Sequence, residues 1–421
     1  MCLSSALVGV IVFLRKRSLL GEALSHATYP GVVLSVLFMA IFFPDSNALA
    51  PAILVGAFLS SLLGLWIIEK MERRFHAKND SALCLVLSVF FGLGVLVASR
   101  IQFTHALWYK TVQIFLYGQA ATMTNIHIFL YALLGVLLSG VLIFFYRQVQ
   151  MTIFDRDFSG TVGVPVRWVD SFLFLLLVLA IVIGIRSVGV VLMSGMLIAP
   201  AVAARQFSHR LWTVFLLAAG VGAFSGFLGN YLSVELPQWG MRRGWNWNFS
   251  LPTGPMILLS ASGICMLSLL FAPRNGLCTR LVRILRFRKQ CLEDNLLKSL
   301  WKRDREGGVL LSEVKKWQSL SFLQMLFLVW RLENQGWIER TDSQIQLTKE
   351  GKSRAAYIVR LHRLWEAYLV FLGQGVEKVH RSAEEMEHII TPELEKELAD
   401  LLGDPKRDPH SQPIPSKEET L

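Results

Sequence analysis

Along the first two thirds of the chain, apolar residues neither alternate nor recur at helical spacing; they run together. The runs lie at about 1–14, 23–43, 50–68, 81–98, 127–146, 169–185, 188–204, 211–234 and 255–272. Most approach the roughly 20 residues that a helix needs to cross a bilayer. The pattern predicts an all-α membrane domain of about nine helices. Basic residues collect in alternate connections: Arg15-Lys16-Arg17; Lys70, Arg73, Arg74 and Lys78; Arg147, Arg156 and Arg167; Arg205 and Arg210. Lys and Arg mark the cytoplasmic side, which puts the amino end outside and the carboxy-terminal part in the cytoplasm. Arg242-Arg243 falls on the outer side, flanked by Trp239, Trp245 and Trp247 as in an interfacial aromatic belt.

The pattern changes across FAPRNGLCTRLVRILRFRKQ at 271–290, a basic run with no carboxylate. Beyond it the sequence becomes charged and periodic. Helices are expected over 291–304, 310–317 and 319–334, with breaks at Gly307-Gly308 and Gly336. WIERTDSQIQLT at 337–348 alternates on either side of Asp342-Ser343 and predicts a hairpin. Three helices and a hairpin are the order of a winged helix-turn-helix. Longer helices follow over 349–372 and 376–390, and Thr391-Pro392 supplies the N-cap and first residue of another. The closing DPKRDPHSQPIP is rich in Pro and irregular.

Composition sharpens this. The 421 residues are 53% hydrophobic and only 17% charged, which excludes an ordinary soluble enzyme. The net charge of +11 has a plain cause in cytoplasmic Lys and Arg. Nucleic-acid binding must be argued from the carboxy-terminal part alone. The five cysteines form no C-x-x-C pair, and no disulfide is expected. No cleavable signal peptide is evident, and the short first run suggests a start that is truncated or chosen late. No G-x-x-x-x-G-K-[ST] occurs, so this chain has no ATP site.

Candidate chemistry lies in both halves. In GEALSHATYPG at 21–31, Glu22 and His26 share one helix face. Ionisable groups within a span usually line a polar path, and this pair offers oxygen and nitrogen to a divalent ion. The plainer alternative is an interfacial polar pair at a helix start. The motif resembles the signature of ABC permeases that import manganese, zinc or iron. The likeness continues through Lys78-Asn79-Asp80-Ser81-Ala82, Phe115-Leu116-Tyr117-Gly118, FDRDFSGTVGVPV at 154–166, SVGVVLMSGMLIAPAVAAR at 187–205 and Leu251-Pro252-Thr253-Gly254-Pro255. It implies that Glu22 and His26 contact metal in the translocation path, with Glu where the family more often has Asp. It implies that 154–166 couples to a separate ATPase subunit, marked by Asp155, Phe158 and Gly163; a solvated loop is the alternative. It also implies an extracytoplasmic metal-binding protein and a second permease subunit as partners.

In the soluble part, His362 and Glu366 lie four apart on one predicted helix, and His380, Glu384, Glu387 and His388 share one face of the next. Carboxylate and imidazole without thiolate suit Mn²⁺ or Fe²⁺. LTKEGKSRAAYIVRLHRLWEAYL, VHRSAEEMEHIITPELEKEL and DPHSQPIP are similar to the diphtheria-toxin-repressor family. That resemblance implies a primary regulatory site of Asp294, Glu384, Glu387 and His388, and an ancillary site of His362, Glu366 and His380. The further carboxylate of the manganese branch falls on Leu297. It also implies a dimer that binds operator DNA. Ser319, Ser321, Gln324 and Arg331 are the candidate base-reading residues on a mostly apolar third helix. Lys315, Lys316, Arg331, Arg340, Lys349, Lys352 and Arg354 are candidate phosphate contacts, or else a solvated basic face.

The combination resembles a permease–repressor fusion known from chlamydiae. The expected layout is a transmembrane permease over 1–272, a basic juxtamembrane linker over 273–290, a winged helix-turn-helix over 291–355 and a metal-sensing dimerisation domain over 356–421. The expected protein is no enzyme. It spans a bacterial inner membrane, moves Mn²⁺ or Fe²⁺ with Zn²⁺ as a third option, and uses the same metal as co-repressor. Cleavage within 273–290 would free the repressor. The competing expectation is a cytosolic metal-sensing brake on the permease that does not bind DNA.

Overall fold

The computed structural model describes residues 1–44, 48–118, 125–244, 251–273, 275–303, 309–310, 321–341, 344–417 and 419. The chain divides into two compact units, Met1–Arg280 and Leu281–Leu421.

In the first unit, each apolar run becomes the body of one helix: α1 (Cys2–Leu14), α2 (Ser18–Phe42), α3 (Leu49–Arg74), α4 (Asn79–Thr104), α6 (Asn125–Phe144), α9 (Val166–Val188), α10 (Val190–Phe207), α11 (Leu211–Arg242) and α12 (Thr253–Phe271). Three further helices, α5 (Ala106–Tyr117), α7 (Tyr146–Phe154) and α8 (Arg156–Thr161), lie outside those runs. Among the described residues, seven helices are long and apolar enough to cross a membrane. An eighth span results if α6 and α7, bent by 72°, count as one. The expected nine is therefore not met by length. The 13-residue α1 is short, yet Ser4–Val12 is buried throughout and packs on α10 and α11. A helix apolar all round belongs inside a bundle.

The most enclosed of the seven is α2, with 72% of its most apolar window buried against 28–56% for the others. It packs against α3, α4, α5, α9 and α10. Ser25 Oγ donates to Gly21 O within α2 at 2.7 Å, and Ser60 Oγ of α3 donates to Ala27 O at 2.6 Å, internal pairings of the kind a lipid environment requires. Two motif glycines meet where α5 ends and α9 breaks into α10. Gly118 has φ +76° and Gly189 φ +94°. A Cβ on Gly118 would lie 2.2 Å from the Val188 carbonyl carbon, and one on Gly189 would lie 2.6 Å from Leu116 O. Only glycine serves there.

The second unit is built on α13 (Leu277–Arg303), which starts in the first. The helix expected from 291 thus begins at Leu277. The basic stretch between is mostly Leu, Arg, Lys and Gln and holds no Gly or Pro, so nothing interrupts it. Then come β1 (Val309–Leu310), α14 (Phe322–Asn334), β2 (Ile338–Thr341), β3 (Gln344–Leu347), α15 (Lys349–Phe371), α16 (Val376–Met386) and α17 (Pro392–Leu401). The antiparallel sheet has the order β1-β3-β2, with Ile338 opposite Leu347 and Val309 opposite Ile345. Leu310 pairs in a strand where a helix start was expected. The rest of the predicted 310–317 helix lies outside the described residues.

Leu296, Leu297 and Leu300 of α13 close one core with Met325, Leu328 and Leu332 of α14 and with Ile338 and Ile345. Thr348 caps α15, accepting from Gly351 N at 3.0 Å. The helix expected over 376–390 stops at Met386. Glu387 is its C-cap, and Pro392 holds Thr391 extended at ψ 160° at the start of the next helix. Two buried arginines of α15 hold the Pro-rich end. Arg360 pairs with Glu395 at 2.8 Å and donates to Pro415 O at 2.9 Å; Arg363 donates to Pro413 O and pairs with Asp408 at 3.4 Å.

Candidate metal centre

One turn of α15 separates His362 from Glu366, and burial leaves them 5% and 2% exposed. α16 packs across them and brings His380, whose side chain is half exposed. His362 Nε2 lies 3.1 Å from Glu366 Oε1, His380 Nδ1 lies 2.7 Å from the same oxygen, and the two ring nitrogens are 3.1 Å apart. The three ligand atoms fall within 4.8 Å of one another, the only such group of His, Cys, Asp and Glu among the described residues. Two imidazoles and a carboxylate suit a divalent first-row ion, so this set fits a metal.

Glu384 does not join Asp294. It reaches towards His380, with Oε1 3.5 Å from Nε2, and its side chain is 53% exposed. Glu387 and His388 sit in the turn after α16 rather than on its face. His388 Nδ1 is 3.1 Å from Asp294 Oδ2, and His388 Nε2 is 3.6 Å from Glu387 Oε1. Glu387 Oε2 lies 2.5 Å from His362 Nδ1, which joins the two predicted sites into one buried network. Arg354 flanks Asp294 at 3.4 Å.

The electrostatics follow the contacts. Burial alone would raise the Glu366 carboxyl, but hydrogen bonds from His362 and His380 outweigh it and hold it at about 2. Burial likewise opposes charge on Glu387, and His362 with Lys298 overcomes it and lowers the value. His362 loses solvation too, yet its bonds to Glu366 and Glu387 raise its value. The metal-free centre therefore favours anionic carboxylates around a protonated imidazole.

One member was missed by sequence reasoning. Lys298 is buried, and its Nζ lies 2.7 and 2.9 Å from the two Glu387 oxygens. A signal existed: it stands four residues after Asp294, among Leu296, Leu297 and Leu300 on a core-facing stretch.

In the first unit, Glu22 is half-buried and His26 is 8% exposed on α2. His26 Nδ1 is buried without a hydrogen-bond partner, and the Phe91 ring meets the imidazole edge-on at 4.7 Å. Among the described residues, no third ligand completes a group with this pair. Of the expected coupling residues, Asp155 caps α8 by accepting from Phe158 N at 2.8 Å, Phe158 is exposed, and Gly163 turns the chain at φ +87°. Asp170 at the start of α9 was also missed. It pairs with Arg15 at 2.8 Å and Arg156 at 2.6 Å, tying α8 and the end of α1 to α9.

Of the expected DNA-reading residues, Ser319 lies outside the described residues. Ser321 and Gln324 close the start of α14, with Ser321 N donating to Gln324 Oε1 at 3.1 Å. Arg331 pairs with Glu293 of α13 at 2.6 Å. Leu323, Phe327 and Trp330 are exposed on α14.

Comparison with known proteins gives two family matches. The model described as the ABC 3 transport family matches residues 1–272. The model described as the iron dependent repressor, metal binding and dimerisation domain matches residues 348–416. A probable metal transport system membrane protein of Chlamydia trachomatis is 36% identical, covering 99% of this chain and 94% of the relative. The manganese transport system membrane protein MntC of Bacillus subtilis is 33% identical, covering 87% and 81% respectively. The solved structure of PsaBC from Streptococcus pneumoniae in complex with Fab superposes with a TM-score of 0.54 at 25% identity, over 67% of this chain and 90% of that one.

Proposed function

Because the chain belongs to the ABC 3 transport family, with an iron-dependent-repressor-type domain at its carboxy end, we propose that it is a divalent-metal import permease fused to a regulator that reads the same metal. The observation that carries the reading is the His362–Glu366–His380 group, two of its three members buried, within the segment matched to the repressor family. The functional segments of this reading are 1–272, 273–290, 291–355 and 356–421. Mn²⁺ or Fe²⁺ is the favoured substrate, followed by Zn²⁺. The nitrogen–oxygen donor set supports this, as does the manganese in the name of the Bacillus subtilis relative.

In the membrane, Glu22 and His26 hand the ion along α2, the most enclosed span. A pair of ligands releases an ion more readily than a closed four-ligand cage, which suits passage over storage. A separate ATPase supplies energy and docks on α7–α8 through Asp155, Phe158 and Gly163. A second permease subunit and an extracytoplasmic metal-binding protein complete the assembly in a bacterial inner membrane. Arg15, Arg156 and Asp170 would pass a push on α8 to α1 and α9.

In the cytoplasm, a bound ion would tie α15 to α16. His362, Glu366 and His380 hold it, and Glu387 keeps the His362 ring oriented. Ordering these helices favours a dimer that sets two α14 helices at half-sites about one helical turn apart. Ser319, Ser321, Gln324 and Arg331 are the reading residues, and Gln324 and Arg331 give up intramolecular partners to reach bases. Neighbouring permeases bring two units together, or cleavage in 273–290 releases them.

Transport is tested by Mn²⁺ uptake into cells that carry the partner subunits. Glu22→Ala and His26→Ala should each abolish uptake while the chain stays in the membrane; uptake at the unmodified level would overturn the translocation role. Release is tested by blotting for a free carboxy-terminal fragment. Full-length chain alone under every metal condition would remove cleavage from the reading.

A further inference from the structure

Glu387 belongs to two neighbourhoods at once. Its Oε2 accepts from His362 Nδ1, while the Nε2 of that ring points to Glu366 and His380. A carboxylate on one imidazole nitrogen leaves the other to a metal and fixes the ring, a common outer-shell arrangement. Both Glu387 oxygens also lie against Lys298 Nζ, at 2.7 and 2.9 Å. That ammonium is buried and arrives from α13, one turn beyond Asp294. A fixed positive charge therefore stands among Asp294, Glu387 and His388. Among the described residues, no Lys or Arg bonds the oxygens of Glu366, whose partners are the two imidazoles.

We infer that Lys298 is a tethered cation that competes with metal for Glu387. Resting on the metal-sensing reading, this divides the centre into two unequal halves. The His362–Glu366–His380 group takes an ion with Lys298 in place, because Glu387 already serves it from the outer side. The Asp294–Glu387–His388 set takes an ion only after Lys298 releases Glu387. A positive charge beside a cation site opposes filling in proportion to its closeness, and desolvation makes the paired ammonium hard to strand. Lys298 is thus a positioning residue at the first half and a gate at the second. It sets the metal concentration at which the second half responds.

The experiment uses the full chain in lipid nanodiscs, with Mn²⁺ alone as the probe. Free Mn²⁺ is counted by electron paramagnetic resonance, and Lys298 is followed by amine-reactive labelling and mass spectrometry. Binding lost in His380→Ala should leave Lys298 protected. Binding lost in Asp294→Asn should coincide with labelling of Lys298. Lys298→Met should tighten that second phase by about tenfold or more, the scale of outer-shell effects, and Lys298→Arg should keep it weak. The labelling needs no variant and stands even if Lys298→Met fails to fold. An Lys298→Met isotherm that superposes on the parent's, or Lys298 protected with both phases filled, would overturn the gate. If neither His380→Ala nor Asp294→Asn removes any Mn²⁺, the metal-sensing reading itself falls.

Discussion

Glu366 accepts from two imidazoles through one oxygen, with His380 2.7 Å and His362 3.1 Å away. Its value of about 2 lies below the ordinary 4.5, so its contribution to stability is complete above the ordinary carboxylate range and fades as pH falls towards 2. His362 shifts the opposite way. Its value is raised above 6.5, so its contribution is complete below that and is lost as pH rises through the raised value. The metal-free second unit is predicted to be most stable at mildly acidic pH. Thermal unfolding in a chelator from pH 2 to 8 should show both limbs, and Glu366→Gln should flatten the acid one. A monotonic rise of stability with pH would contradict the assignment. The i, i+4 spacing of His362 and Glu366 was legible because a helix turns that interval into a shared face. The joining of the two predicted sites through Glu387 was not. It depends on where α16 stops, at Met386 with Glu387 as its C-cap, four residues before the expected end.

The helices of the membrane unit were legible where they are uniformly apolar, and each run became one helix. α5, α7 and α8 were not, because they mix polar and apolar residues, and only α8 has a side-chain cap, from Asp155. Of the helix expected over 310–317, Leu310 lies in a strand, and its remainder and Ser319 fall outside the described residues. Gly189→Ala forces a side chain into positive φ and against Leu116 O, which should cost about 2 kcal/mol or more. Melting in detergent should fall, and an unchanged melt would argue that α9 and α10 do not meet α5 this closely. Asp170→Ala leaves Arg15, whose side chain is 11% exposed, without its carboxylate. Stranding a buried charge costs about 3 kcal/mol, discounted for Arg156, which is mostly exposed. Melting should drop, and Asp170→Glu should recover part of the loss.

At the scale of the whole molecule, one chain joins a transport-family domain of residues 1–272 to a repressor-type domain of residues 348–416. That division was visible as a change from continuous apolar runs to periodic, charged sequence after 271–290. The continuity of α13 across the unit boundary was not, because the basic run reads equally well as a linker. The Pro-rich end read as irregular, and its anchoring to Arg360 and Arg363 came from partners about 50 residues away in sequence. The central claim is that metal captured by α15 and α16 makes the carboxy-terminal unit bind DNA. The direct measurement titrates Mn²⁺, Fe²⁺ and Zn²⁺ into residues 281–421 while following binding to DNA upstream of the protein's own operon. The account predicts salt-sensitive binding that requires metal, ranks Mn²⁺ or Fe²⁺ above Zn²⁺, and is lost in Glu387→Ala. Metal uptake by this unit with no metal-dependent DNA binding at any salt concentration would contradict it.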